Sequence, residues 1–176
     1  MQKTAVVTGG AGFIGSHLVD LLISKGMKVR VIDNFHGGRL ENLAHLGSVG
    51  TLEIIEEDIR NIQPNDEHFS NVDYVFHLAG IGDIVPSIEN PIDYFDVNVQ
   101  GTIKVLEATR FNNCGRLIYA ASSSCYGLAN TPTSETHRTD PKYPYALSKL
   151  MGEQSVFHWG KVYGIEANSI CYKKVV

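Results

Sequence analysis

The 176-residue chain is 43% hydrophobic and 19% charged, the balance of an ordinary folded domain with room for one good core. Its formal net charge of −4, with no run of Lys and Arg, argues against a nucleic-acid partner. No apolar stretch approaches the ~20 residues of a membrane span, and glycines within the first ten residues exclude a signal peptide.

Taken in order, Thr4 to Val7 reads as a short apolar strand. Gly9, Gly12 and Gly15 follow at intervals of three, and Ser16 to Ser24 then takes a helical pattern. A phosphate-binding turn requires this order. The first glycine allows a sharp reversal, the second lets backbone approach a pyrophosphate, and the third lets the helix pack closely on the strand. The helix N-terminus then offers N–H groups and a positive dipole end to phosphates. Lys28 to Ile32 predicts a second strand, closed by Asp33, 18 residues after Gly15. A carboxylate there can accept hydrogen bonds from both hydroxyls of an adenosine ribose. The plain alternative, a glycine-rich turn beside a surface aspartate, does not account for the strand before and the helix after.

Leu52 to Glu56 and Asp73 to Leu78 predict the third and fourth strands. Tyr94 to Asn112 is a long helix with Phe95, Val99, Ile103 and Leu106 at helical spacing. Arg116 to Ala121 is a fifth strand, Tyr145 to Tyr163 a second long helix, and Ile165 to Tyr172 a sixth strand. This alternation predicts an α/β fold, a doubly wound parallel sheet with helices on both faces. Pro and Gly gather at His36 to Arg39, Gly80 to Pro91 and Gly127 to Pro144. These loops follow the second, fourth and fifth strands, where such sheets bind ligands.

Tyr145 and Lys149 lie four residues apart on one helix face. A free tyrosine titrates near pH ~10, and a neighbouring ammonium favours its phenolate, which makes it a usable base. Such a tyrosine can take a proton from a sugar hydroxyl while hydride leaves the carbon. Two ordinary residues on an amphipathic helix are the bland alternative. Ser122, Ser123 and Ser124 follow the fifth strand, so a hydroxyl at its C-terminal end can bond the same oxygen; the alternative is a serine-capped turn. Cys114, Cys125 and Cys171 have no metal-like spacing and read as reduced, partly buried thiols of a cytoplasmic protein, with no metal site. His77 reads as a satisfied core histidine, and His17 as packed.

At this point the chain resembles the extended short-chain dehydrogenase/reductase family, in its NAD-dependent nucleotide-sugar epimerase and dehydratase branch. The matching stretches are Thr8-Gly9-Gly10-Ala11-Gly12-Phe13-Ile14-Gly15, Asp33-Asn34-Phe35, Asp58-Ile59-Arg60, His77-Leu78-Ala79-Gly80, Asn98-Val99-Gln100-Gly101-Thr102, Ser122 to Gly127, and Pro144-Tyr145-Ala146-Leu147-Ser148-Lys149. They occur in order and cover nearly the whole chain. The resemblance implies a Rossmann-like fold and a role at each position. Gly9, Gly12, Phe13, Ile14 and Gly15 belong to the pyrophosphate turn. Asp33 and Asn34 would hold the adenosine ribose, and Asp58 and Ile59 would flank the adenine. Leu78, Ala79 and Gly80 would lie along the cofactor. Tyr145 would be the base, Lys149 would bond the nicotinamide ribose and tune that base, and Ser122 would take the catalytic Ser/Thr position. Asn98 would be structural, bridging backbone across the sheet.

The same alignment separates branches. Family 4,6-dehydratases place Asp-Glu after the catalytic Thr, and decarboxylases usually keep a Glu; here those positions are Ser123 and Ser124. The implied activity is therefore 4-epimerisation of a nucleotide-sugar, a UDP-sugar, through a transient 4-keto sugar. A dehydratase or decarboxylase, and an NAD-binding module without turnover, are the alternatives. Asp33 repels a 2′-phosphate and no Lys or Arg comes between it and Arg39, so NAD is the expected cofactor rather than NADP. The family carries a further C-terminal domain for the sugar's nucleotide, and the position of its substrate-contact Asn is Lys174 here. Residues 1–176 are thus expected to form an NAD-binding Rossmann domain with the substrate domain absent, binding cofactor with little sugar turnover. An uncovered C-terminal edge with apolar patches suggests self-association, as a homodimer.

Overall fold

The structure, a computed structural model, describes residues 2–47, 49–129 and 132–172. Lys174 lies outside the described residues. Six parallel strands make one sheet: β1 (Thr4–Thr8), β2 (Lys28–Asp33), β3 (Leu52–Glu56), β4 (Tyr74–His77), β5 (Arg116–Ser122) and β6 (Glu166–Tyr172). Their order is β3-β2-β1-β4-β5-β6. Ala5 of β1 is level with Val29 of β2 on one side and Tyr74 of β4 on the other. The strand order therefore reverses between β1 and β4, and a crevice opens there beyond the strand ends.

Successive side chains of β1 enter different cores. Val6 joins Val75, Leu117, Val105, Leu106 and Val156 on one face. Ala5 and Val7 join Val29, Val31, Val19 and Leu22 on the other. Burial on both faces explains why β1 reads as a continuous apolar run rather than an alternating one. The second core lies under α1 (Phe13–Ser24), which supplies Val19 and Leu22. The first lies under α4 (Thr102–Phe111) and α5 (Pro144–Tyr163), which supply Val105, Leu106 and Val156. Helices thus cover both faces, as expected. Gly164, at φ +74, closes α5 with its N–H on the Gly160 carbonyl at 3.0 Å. No helix among the described residues is long and apolar enough to cross a membrane.

The differences from expectation are local. The first helix starts at Phe13 rather than Ser16, because Gly12 takes the N-cap with extended backbone. The fourth strand stops at His77, so Leu78 already belongs to the crevice. The segment read as loop from Gly80 to Pro91 holds a short helix, α2 (Ile84–Glu89), whose signal Pro86 obscures. The long helix is α3 (Pro91–Phe95), a π-helical turn over Asp96–Gly101, and then α4. A Cβ on Gly101 would lie 2.5 Å from Ile59 Cδ1, so this turn packs directly against the Ile59 side chain of the segment leaving β3.

His77 is a core residue, as expected. It has no exposed surface; Nδ1 is 2.7 Å from Thr8 Oγ1 and Nε2 is 2.9 Å from Thr102 Oγ1. Burial, helped by the Lys149 charge, pushes its pKa down to about 3. The unfolded chain therefore binds a proton here between pH ~6.5 and about 3 that the folded chain refuses. Stability is expected to fall across that window on acidification, by on the order of a few kcal/mol. Denaturant titrations at several pH values should show a shallower acid slope in His77→Gln; an unchanged slope would contradict this account.

Candidate functional site

The crevice at the C-terminal strand ends is a cleft of about 780 Å³. It runs from the glycine turn, past Asp33 and Asp58, to Leu78, Ala79 and Gly80. Gly9 has φ +69, and a Cβ there would lie 2.6 Å from Ala79 N, so the turn and the exit of β4 meet backbone to backbone. Gly12 lines the cleft, and a Cβ on it would meet only Gly9 O, at 3.3 Å. Gly15 is buried beneath the turn; a Cβ on it would collide with Gly9 O and sit 2.7 Å from Gly10 Cα. Phe13 and Ile14 are not brought in by their side chains, which are 80% and 44% exposed. What they can offer the cleft is backbone, since the first N–H groups of a helix lack intrahelical partners.

The far wall is acidic and tightly bonded. Asp33 is 7% exposed; Oδ2 accepts the Ala11 N–H and Oδ1 the Phe35 N–H, each at 2.9 Å. A Cβ on Gly38 would lie 2.9 Å from both carboxylate oxygens, so the loop after β2 folds directly over them. Asn34 donates from Nδ2 to Asp58 Oδ2 at 2.9 Å. Arg60 grips Asp58 through Nε and Nη2, at 2.9 and 2.7 Å, and holds its carboxyl down at about 2. Ile59 both lines the cleft and belongs to the core.

Beyond Gly80 the three proposed chemical residues come together. The Tyr145 hydroxyl is 3.4 Å from Ser122 Oγ, which also accepts the Ser124 N–H at 3.2 Å. Tyr145 lines a second hollow with Asp83, Pro86 and Ser124; Asp83 and Pro86 also line the main cleft, so the two are continuous. Lys149, one turn further along α5, is 7% exposed, and its Nζ stands 4.4 Å from the centre of the Tyr119 ring. Burial lowers its pKa to about 8. A Cβ on Gly80 would lie 3.8 Å from that Nζ, which puts the ammonium at the end of the cleft.

Several contacts of this arrangement escape sequence reasoning. Asn98, in the π-helical turn, donates to Ile81 O and Ser148 Oγ at 3.0 Å and accepts the Ile81 N–H at 2.9 Å. It is structural, as expected, but it ties the loop after β4 to α5 rather than bridging the sheet. The Tyr94 ring meets Tyr145 edge-on at 6.2 Å, and its hydroxyl donates to Gly82 O. Gly38 carries a signal in the glycine pair Gly37-Gly38 four residues after Asp33, legible in the sequence only as a loop. His17 departs from expectation: it is exposed, stacked edge-on against Phe13 at 5.2 Å, because this side of the first α1 turn faces solvent. The three thiols are free; Cys125 is buried, and burial raises its pKa to about 12. Among the described residues no group of three metal-type side chains gathers.

Residues 5–176 match the NAD dependent epimerase/dehydratase family. The chain belongs to that family. A putative UDP-glucose 4-epimerase of Methanocaldococcus jannaschii is 37% identical across 97% of this chain and 55% of its own. The UDP-N-acetylglucosamine 4-epimerase of Methanobrevibacter ruminantium, solved with UDP-N-acetylmuramic acid, superposes with a TM-score of 0.92 at 36% identity, over 97% of this chain and 55% of that one. The UDP-glucose 4-epimerase of Brucella ovis, solved with NAD, gives 0.87 at 29% identity, over 97% and 51%. This epimerase/dehydratase family chain thus spans about half the length of the relatives it matches.

Proposed function

We propose that this chain binds NAD and carries the catalytic residues for 4-epimerisation of a UDP-sugar. The observation that carries the reading is the Tyr145–Ser122 pair at 3.4 Å, with the buried Lys149 one helical turn on, where a second hollow continues the dinucleotide-sized cleft. The fit to NAD rests on the cradle itself. Gly9 and Gly12 line the cleft, the Cβ-free Gly12 leaves backbone open to a pyrophosphate, and Asp33 keeps lone pairs for two ribose hydroxyls. Asn34 adds a contact to that ribose, and Asp58 and Ile59 border the adenine. Leu78, Ala79 and Gly80 line the path of the cofactor. NAD supplies reversible hydride acceptance when bound.

The protein's own chemistry is proton handling and orientation. Tyr145 takes the proton of the sugar's 4-hydroxyl as its C4 hydride leaves, and returns it when the keto sugar is reduced on its other face. Ser122 holds the same oxygen by a hydrogen bond, and Lys149 would hold the nicotinamide ribose. Ser123 and Ser124 offer no carboxyl for eliminating water or for decarboxylation, which favours epimerisation over those chemistries. Residues 1–176 are assigned to the NAD-binding domain. A cytoplasmic setting and a part in carbohydrate metabolism belong to the same reading, the first supported by the free thiols. So does a homodimer, supported by exposed Leu147, Met151 and Phe157 on α5.

The test is calorimetric titration with NAD, with chromatographic conversion of UDP-galactose to UDP-glucose beside it; absence of NAD binding would sink the proposal. Tyr145→Phe is expected to keep NAD affinity and to lower, by ~10²–10⁴-fold, whatever sugar turnover the wild-type chain sustains, the usual worth of a positioned acid–base group. Lys149→Met is expected to weaken NAD binding without lowering the melting temperature, since it removes a buried charge. A clear drop in melting temperature in either variant would point to core packing instead.

A further inference from the structure

Lys149 is an ammonium in the wrong surroundings. Burial works against its charge, and most of the neighbours turned toward it carry no compensating charge. His77 on β4 stays uncharged beside it, the Tyr119 ring on β5 presents its face to Nζ at 4.4 Å, and Tyr145 precedes it on α5. The π-helical turn and the start of α4 contribute the uncharged Asn98 and Thr102. Cys171 on β6, packed with Cys125 and Tyr126, is a thiol whose pKa burial raises. One carboxylate breaks this pattern. Glu153 follows Lys149 by four residues, so the two share a face of α5 with Cβ atoms about 6 Å apart. That carboxylate does not hang into solvent: Glu153 is half-buried, and its Oε1 accepts the Ser169 hydroxyl from β6. Between the two residues, Gly152 lets α5 close onto the Tyr119 hydroxyl and Asn98 O, where any Cβ would collide. This packing keeps Glu153 on the inner side of the helix.

We propose that Glu153 is a positioning residue for the site, the counter-carboxylate that keeps Lys149 charged at the end of the cleft, and that Ser169 is its anchor. The charge of Glu153 is the largest influence opposing burial at Lys149, whose pKa stands at about 8. Removing that carboxylate takes away attraction for the ammonium and leaves the burial penalty, so the amine loses its proton at lower pH. An uncharged amine at neutral pH would still donate a hydrogen bond but would no longer support a phenolate. The consequence for NAD rests on the role of Lys149 proposed above; the coupling between Glu153 and Lys149 does not.

The test follows the Lys149 side chain directly. In cofactor-free protein labelled with ¹³C-lysine, the Cε resonance absent from Lys149→Met is tracked against pH. In Glu153→Gln, which keeps an oxygen for Ser169, its midpoint is expected to fall by about one pH unit or more. Glu153→Asp, which keeps the charge, should stay nearer the wild type. Ser169→Ala, which frees the carboxylate, should shift the midpoint in the same direction as Glu153→Gln by less, and it decides the matter if the latter does not fold. An unmoved midpoint in folded Glu153→Gln, or in Ser169→Ala where that variant must stand in, overturns the proposal. NAD affinity measured across the same pH range separates the two ideas. A shifted titration with an affinity profile that ignores it upholds the coupling and overturns the assignment of Lys149 to the cofactor.

Discussion

Gly15→Ala should cost the fold about 2–3 kcal/mol and take NAD binding with it, while Gly12→Ala should spare the fold and damage only the binding. The difference lies in what a methyl group meets. At Gly15 it collides with the Gly9 carbonyl and lies 2.7 Å from Gly10 Cα, all backbone, so α1 must lift off the turn. At Gly12 it meets one carbonyl oxygen at 3.3 Å and otherwise points into the cleft, where a pyrophosphate would come to rest. The backbone of Gly12, φ −74 and ψ 176, is one alanine accepts readily. Thermal melts and calorimetry on the two variants check this. Equal melting temperatures for Gly15→Ala and wild type would mean the turn is far softer than its geometry implies.

NAD is expected to bind at least tenfold more tightly than NADP, a difference of about 1.4 kcal/mol or more. Each Asp33 oxygen already accepts one backbone N–H at 2.9 Å, which fixes the carboxylate and leaves it lone pairs for the two ribose hydroxyls. A 2′-phosphate would face that fixed negative charge. The nearest guanidinium in the cleft, on Arg60, is committed to Asp58 through two bonds at 2.9 and 2.7 Å, so its charge is already answered. Asp33→Asn should narrow the preference, and should also destabilise the protein by ~1–3 kcal/mol, because one amide face must point N–H at N–H. Paired titrations with both cofactors decide the matter; equal affinities in the wild type would remove Asp33 from the ribose.

The parts of this site that lie along the chain are legible in the sequence, and the parts that depend on packing are not. Gly9, Gly12 and Gly15 declare a turn through spacing, and Tyr145 and Lys149 share a face through helical geometry. Six strands are visible because a parallel sheet covered on both faces is written in short apolar runs. By contrast, Glu153 reads as one more surface acid on a helix until β6 is seen to hold it. Asn98 carries no local sign that its amide will span from Ile81 to Ser148. His17 misleads in the same way, since its place early in a helix does not say which side of a first turn meets water. The π-helical turn leaves no trace in a spacing analysis that assumes a single helical pitch.

The strand order also sets a timetable for synthesis. β1, the strand with most of its surface interior, pairs on one side with β2 almost at once but on the other with β4, about seventy residues later. At ribosomal speeds of roughly 5–20 residues per second, that edge stands open for several seconds while its partner is still being made. Ala5, Val6 and Val7 are then an adhesive strip with one unoccupied side, the kind of segment that chaperones engage or that finds a strand of a neighbouring nascent chain. The reversal that creates the crevice is also what leaves the growing chain exposed until the residues of β4 emerge to close it.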